Sequence, residues 1–177
     1  KGRPVGTLGH IGVFSLNYHK HIHSGEGGVI TTNDPILAER MQLIRNHAEA
    51  VAGGRELETN VNMVGFNFRM GEIEAAIGLC QIRKATDLVS KRRANVAYLE
   101  QRLSDYPGLT MPEIDEGASH SYYMHVMRYD AEVTGVSREH FVEAIKAELP
   151  PSGLREAEGP LIGAGYVKPI YLHPMFA

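Results

Sequence analysis

The feature that most restricts the fold of this chain is a polar, glycine-ended loop set between two short apolar runs. Residues 11–16 and 29–32 have the length and apolar character of strands, and each is bounded by glycine or a polar turn. Between them run Asn17-Tyr18-His19-Lys20-His21-Ile22-His23-Ser24 and then Gly25-Glu26-Gly27-Gly28. Glycines at the end of such a loop permit positive φ and a close backbone approach to a ligand. The sequence therefore predicts a strand–loop–strand unit that presents Lys20. A lysine held in that position is placed for covalent chemistry, because a free amine attacks a carbonyl to form an imine.

Beyond this unit the order is helix, long helices, then strand–strand–helix. Asp34-Pro35 opens a helix, with Asp34 as N-cap and Pro35 in the first helical position. Ile36, Leu37, Met41 and Ile44 follow at helical spacing. Residues 48–62 are polar, contain glycine and lack a period, which predicts a long loop of a kind that is often functional. Residues 73–82 predict an apolar helix buried on most sides. Thr86 or Asp87 restarts an amphipathic helix that runs to about Leu103, with Leu88, Val89, Val96, Leu99 and Leu103 inward. Its outer face carries Lys91, Arg92 and Arg93, read as a solvated face because no aromatic residues interleave with them. After the Pro107-Gly108 turn, residues 109–114 and 121–129 predict strands. Ser137 caps a helix to about Leu149 with Phe141, Val142 and Ile145 inward, and residues 167–172 predict a short extended piece. This order gives α/β in the first half and α+β in the second, with a boundary near residues 84–86.

A net charge of −3 gives no general attraction to nucleic acid or anionic lipid. No apolar run approaches the roughly 18–20 residues that span a bilayer. Neither a nucleic-acid nor a membrane partner is expected. Cys80 is the sole cysteine, which excludes an internal disulfide and fits a reducing cytoplasm. It lies in an apolar string, residues 75–80, and is expected in the core. The opening Lys1-Gly2-Arg3-Pro4 has neither a methionine nor signal-peptide character and reads as the middle of a longer protein.

Residues 14–28 resemble the cofactor-lysine segment of the DegT/DnrJ/EryC1/StrS sugar aminotransferases, whose pattern is roughly Phe-Ser-aromatic-His-x-x-Lys-x-Ile-x-x-Gly-Glu-Gly-Gly. Residues 65–78, from Gly65-Phe66-Asn67-Phe68-Arg69-Met70 to Glu72-Ile73-Glu74-Ala75-Ala76, resemble the family's Gly-Tyr-Asn-Tyr-Arg-Met and Glu-Leu-Gln-Ala-Ala. The resemblance implies a partial fold-type I transferase that depends on pyridoxal 5′-phosphate (PLP). Residues 1–84 would be the C-terminal part of the cofactor-binding large domain, and residues 85–177 a small α+β C-terminal domain. Lys20 would hold PLP as a Schiff base and Ser15 would donate to its phosphate. Asn67, or failing that Arg69, would reach the partner subunit's cofactor phosphate in a homodimer with shared sites; both sit just before a helix N-terminus, where anions are favoured. Asn17, His19, Glu26, His120, Tyr123 and His173, with His125, are candidate substrate contacts.

The implied reaction moves an amino group, with glutamate as the expected donor, to a nucleotide-linked keto sugar. The implied setting is cytoplasmic biosynthesis of cell-surface polysaccharide or another amino sugar. The chain departs from the family at Gly9-His10-Ile11-Gly12, where Gly-Asp-Ile-Gly is common, and at Asn17, where histidine is common. In the family, the aspartate facing the pyridine nitrogen and the residue stacked on the ring lie upstream of the position of Lys1.

Three other readings compete. A sugar dehydratase of the same fold would carry histidine at the lysine position, but counting five back from Gly25 lands on Lys20. A non-catalytic relative would be expected to lose that lysine. His19, His21 and His23 alternate, and in an extended segment would share one face as metal ligands.

Overall fold

The computed structural model describes residues 2–49, 63–150, 161–164 and 169–176. Strands β1 (Gly12–Ser15) and β2 (Gly28–Thr31) pair antiparallel, with Gly12 opposite Thr31 and Ser15 opposite Gly28. This register leaves residues 16–27 as the connecting loop. Its base is closed by Leu16 N–H donating to Gly27 O at 2.9 Å and Ser24 N–H donating to Leu16 O at 3.0 Å. Leu16 and Ser24 are both buried, so the loop is anchored in the interior at its two ends.

Helix α1 (Pro35–Arg45) begins as its sequence dictates. The Asp34 carboxylate accepts from Ile36 N–H at 2.8 Å and from Leu37 N–H at 3.1 Å, satisfying two of the orphan donors of the first turn. Its buried face differs from the expected stripe. Leu43 is buried and Leu37 and Met41 are half-buried, whereas Ile36 and Ile44 are exposed. The chain after α1 folds back along the helix's C-terminal end. Phe66 N–H donates to Ile44 O at 2.7 Å, Phe68 N–H to Arg45 O at 3.0 Å, and Asn46 bridges Asn67 antiparallel. Gly65 makes this clasp possible, because a Cβ there would lie 2.0 Å from Ala48 N. His47 and Ala48 bend back through left-handed φ values of 58° and 60°. Most of the expected 48–62 loop, residues 50–62, lies outside the described residues.

Helix α2 (Glu72–Ile82) lies where predicted, but not buried as predicted. Ile73 is 74% exposed and Leu79 63%, and Cys80 is exposed rather than in the core. Gly78 is the point of close approach, where a Cβ would meet Leu16 Cδ1 at 3.9 Å and Ser24 Cβ at 4.0 Å. Apolar composition shows that a helix needs cover; it does not say that the cover lies in the same stretch of chain. Helix α3 (Ala85–Leu103) buries Val96 and half-buries Leu88, Val89 and Leu103, as expected, but leaves Leu99 exposed. Lys91 pairs with Asp87 one turn away at 2.8 Å.

Strands β3 (Leu109–Thr110) and β4 (Arg128–Tyr129) form a second antiparallel pair, shorter than the predicted 109–114 and 121–129. Helix α4 (Ala131–Thr134) is capped by Asp130, and α5 (Arg138–Glu148) by Ser137, which accepts from His140 N–H at 3.2 Å. Val142 is buried and Phe141 and Ile145 half-buried, as their spacing predicted; Phe141 stacks on Tyr129 with ring centroids 4.5 Å apart. Ile170–Leu172 is a 3-10 turn instead of an extended piece, and residues 165–168 are outside the described residues.

The chain divides into two compact units, Lys1–Ala97 with Ile114–Met124, and Tyr98–Glu113 with His125–Ala177. The division falls inside α3, whereas the sequence suggested the break between α2 and α3 at residues 84–86. Among the described residues, no helix is long and apolar enough to cross a membrane.

Candidate functional site

The loop carrying Lys20 is shaped mainly by its own polar side chains. The Asn17 carbonyl accepts from Lys20 N–H at 2.9 Å, while its side-chain oxygen accepts from His19 N–H at 3.1 Å. These bonds turn the chain immediately after β1, using the local bonding that suits asparagine to turns. The Asn17 amide nitrogen then donates across the loop to Glu26 Oε1 at 2.8 Å. Ser24 Oγ donates to Glu26 O at 2.9 Å, tying the far limb to the buried base. Gly27, at φ 149°, passes close to Met70, where a Cβ would lie 2.9 Å from Met70 Cε. The result is a pinned loop with Lys20 half-buried at its turn.

The Lys20 ammonium lies over the face of Tyr123, with Nζ 3.9 Å from the ring centroid. Tyr123 belongs to a segment, residues 119–123, that α3 holds by its backbone. Arg92 Nη1 donates to Tyr122 O at 3.1 Å and Arg93 Nε donates to His120 O at 2.8 Å, with a further bond from Arg93 to the Ser119 hydroxyl. His21 Nε2–H donates to the same Tyr122 carbonyl at 3.2 Å, and its ring meets Tyr123 edge-on. Tyr122 itself has a left-handed φ of 52°, with its N–H donating to His120 Nδ1 at 2.8 Å. Arg92 and Arg93 are therefore not part of a merely solvated face, which corrects the reading from their sequence. At residue 122 the backbone N–H and carbonyl find side-chain partners instead of a ladder, and β4 begins only at Arg128.

The first unit gathers Ser15, Asn17, Lys20, Glu26, His120 and Tyr123, of which Lys20 and Tyr123 touch and Asn17 and Glu26 hold each other. Ser15 is exposed, and its oxygen accepts from Asn17 N–H at 3.2 Å, which leaves its own proton to donate. His19 is exposed and lies against the Tyr18 ring at 3.8 Å. Asn67 and Arg69 are both exposed, and Arg69 also donates to the side chain of buried Asn46, which ties it to the clasp. His125 and His173 belong to the second unit, where His125 donates to Glu100 at 2.9 Å. The histidine trio is not extended; it turns with the loop. His19 and His21 engage different neighbours, and among the described residues no group of three or more His, Cys, Asp and Glu side chains is placed to hold a metal ion. Sequence reasoning missed Ser24, Arg92, Arg93 and Asn46. A buried serine immediately before Gly-Glu-Gly-Gly was the one local signal available.

The donor set suits a phosphorylated aldehyde. Lys20 would supply a primary amine for the carbonyl and Ser15 a hydroxyl donor for a phosphate oxygen.

Comparison with known proteins points the same way. The profile of the DegT/DnrJ/EryC1/StrS aminotransferase family matches residues 1–176. GDP-perosamine synthase from Caulobacter vibrioides is 31% identical over 178 residues, covering 98% of this chain and 44% of that protein. The structure of Helicobacter pylori PseC, an aminotransferase involved in the biosynthesis of pseudoaminic acid, matches with a TM-score of 0.75. It is 26% identical, over 99% of this chain and 44% of that one. The E. coli GDP-4-keto-6-deoxy-D-mannose-3-dehydratase, solved with bound hydrated PLP, matches with a TM-score of 0.69 at 28% identity, over 83% of this chain and 40% of that one. The chain thus spans less than half the length of these relatives, and its fold is part of a fold-type I transferase.

Proposed function

Since the chain belongs to the DegT/DnrJ/EryC1/StrS aminotransferase family, we propose that the protein containing it transfers an amino group, with glutamate as donor, to a nucleotide-linked keto sugar. Pyridoxal 5′-phosphate is the cofactor, and when bound it supplies the electron sink that lets a bond at the amino-bearing carbon be broken. Lys20 anchors it through Nζ and, once released, holds and moves a proton at that atom. Ser15 donates its hydroxyl proton to the phosphate. Asn67, exposed while Arg69 is engaged with Asn46, serves the phosphate of the partner subunit's cofactor. The organisation that goes with this reading is a cofactor-binding large domain up to residue 84 and a small α+β domain from residue 85, although residues 85–97 and 114–124 belong to the first compact unit. The setting is cytoplasmic amino-sugar biosynthesis, in a homodimer with shared sites.

The observation that carries the reading is Lys20 itself: an amine half-buried in a pinned loop, five residues after Ser15 and five before Gly25. A dehydratase is among the structural relatives. The resemblance places histidine at the lysine position in dehydratases, so lysine here favours transamination. Lys20→Ala in the purified full-length protein is expected to abolish glutamate-dependent amine transfer and the absorbance near ~420 nm that PLP gives when bound to a lysine. Its far-UV circular dichroism should remain unchanged. Near-normal turnover in this variant would overturn the proposal.

A further inference from the structure

We propose that the Tyr123 ring is the resting platform of the Lys20 ammonium, and that Arg92 and Arg93 are positioning residues that set this ring in place. The inference rests on the assignment of Lys20 as the reacting amine, and it adds a residue from a distant part of the chain to that site.

Three observations carry it. First, Lys20 Nζ lies 3.9 Å from the Tyr123 ring centroid, well inside the ~6 Å within which the ring face attracts a cation. Second, the contact joins residues about a hundred positions apart, so it is not a consequence of local turn geometry. Third, the chain immediately before Tyr123 is held from two elements, α3 and the lysine loop. Arg92 and His21 converge on the Tyr122 carbonyl, and Arg93 holds His120 and Ser119. Tyr122 adopts a left-handed φ of 52°, a conformation that needs such support in a bulky residue.

The consequence for the reaction is positional. A lysine has a flexible four-carbon stem, and once its amine is free it can occupy many positions. A lysine that must hold a proton and return to one carbon benefits from a single defined resting place. The ring face provides one without a hydrogen bond that would have to be broken. Arg92 and Arg93 touch neither Lys20 nor the reacting atoms; they act through residues 119–122. His21 contributes to the same carbonyl from the lysine loop itself, which couples the loop to the segment that carries the ring.

The test reads the contact directly. Purified full-length protein, stripped of carbonyl adducts with hydroxylamine, is trace-labelled with acetic anhydride. Acylation of Lys20 is then quantified by mass spectrometry relative to exposed Lys84. Tyr123→Leu is expected to raise the Lys20 to Lys84 ratio about two- to fivefold, the factor that a ring–cation contact of this kind supplies. Tyr123→Phe, which keeps the ring face and removes the hydroxyl, should match the parent protein. Arg93→Ala should move the ratio in the same direction as Tyr123→Leu, and adding it to Tyr123→Leu should produce no further change. In turnover assays the Tyr123→Leu loss should fall on kcat rather than KM. In the unsubstituted protein, NMR of 13Cε-labelled lysine should show the Lys20 ε-protons shifted upfield by the ring current and those of Lys84 not, a measurement that needs no variant to fold. An unchanged ratio in Tyr123→Leu, a Tyr123→Phe variant that behaves like it, or the absence of the ring-current shift would overturn the platform while leaving the assignment of Lys20 intact. Full turnover of Lys20→Ala would remove that assignment instead.

Discussion

Asn17 makes four hydrogen bonds to the Lys20 loop and the end of β1, two through its side chain and two through its backbone. The side chain accepts from His19 N–H and donates to Glu26, so it fixes both the turn and the closure across it. Asn17→Ala is expected to loosen the loop by about 0.5–1.5 kcal/mol, the usual net worth of an intramolecular hydrogen bond. Hydrogen exchange at the His19 amide should accelerate accordingly, while the amides of α3 remain protected. Gly27 is a second residue whose identity is set by conformation. Its φ of 149° and the 2.9 Å that would separate a Cβ from Met70 Cε predict that Gly27→Ala costs about 1–3 kcal/mol by denaturant titration.

Among the elements, α1 and α5 are fixed at their N-termini by side chains that the sequence announces. Asp34→Ala removes the acceptor for two amides and should lower stability by about 1 kcal/mol, read as a shift in urea midpoint without a change in slope. At α5, the Arg138 guanidinium hydrogen-bonds Glu139 and holds its carboxyl below the ordinary glutamate range. The folded-state value is depressed, so this contribution is present above the unfolded-state value and lost as pH falls through the folded one. An NMR titration of the Glu139 carboxyl in Arg138→Ala should show a higher midpoint than in the parent. Helix α2 behaves differently, because its fate depends on what covers it.

At the scale of the whole molecule, the exposed apolar surface sets the expectation for residues 1–177 expressed alone. Val13 on β1 is 71% exposed and Ile73 on α2 74%, with Leu79 and Ile82 also exposed on that helix. Apolar faces and strand edges of this kind associate when left bare. Light scattering should therefore show self-association, and titration with PLP should give weak binding and no turnover; a stable monomer with full transaminase activity would refute this. The shared-site proposal has its own test in the full-length protein. Mixing Lys20→Ala subunits with Asn67→Ala subunits should restore activity, because one composite site in each heterodimer is intact. No recovery in verified heterodimers would place each site within one chain.

Features that depend on neighbouring residues are legible along the chain. The apolar runs and the glycines at 25–28 mark the strand–loop–strand unit and the place of Lys20 between Ser15 and Gly25. Asp34, Pro35 and Ser137 define where two helices begin, since a cap is a contact across two or three residues. The tertiary structure decided what depends on distant ones. It drew Arg69 into the Asn46 clasp, turned Leu43 rather than Ile36 and Ile44 inward, and left α2 and Cys80 exposed. It also converted Arg92 and Arg93 from an apparently solvated pair into the support of the segment that places Tyr123 over Lys20. An arginine on a helix has the same local pattern whether water or a distant carbonyl receives its protons, so only the folded chain distinguishes the two.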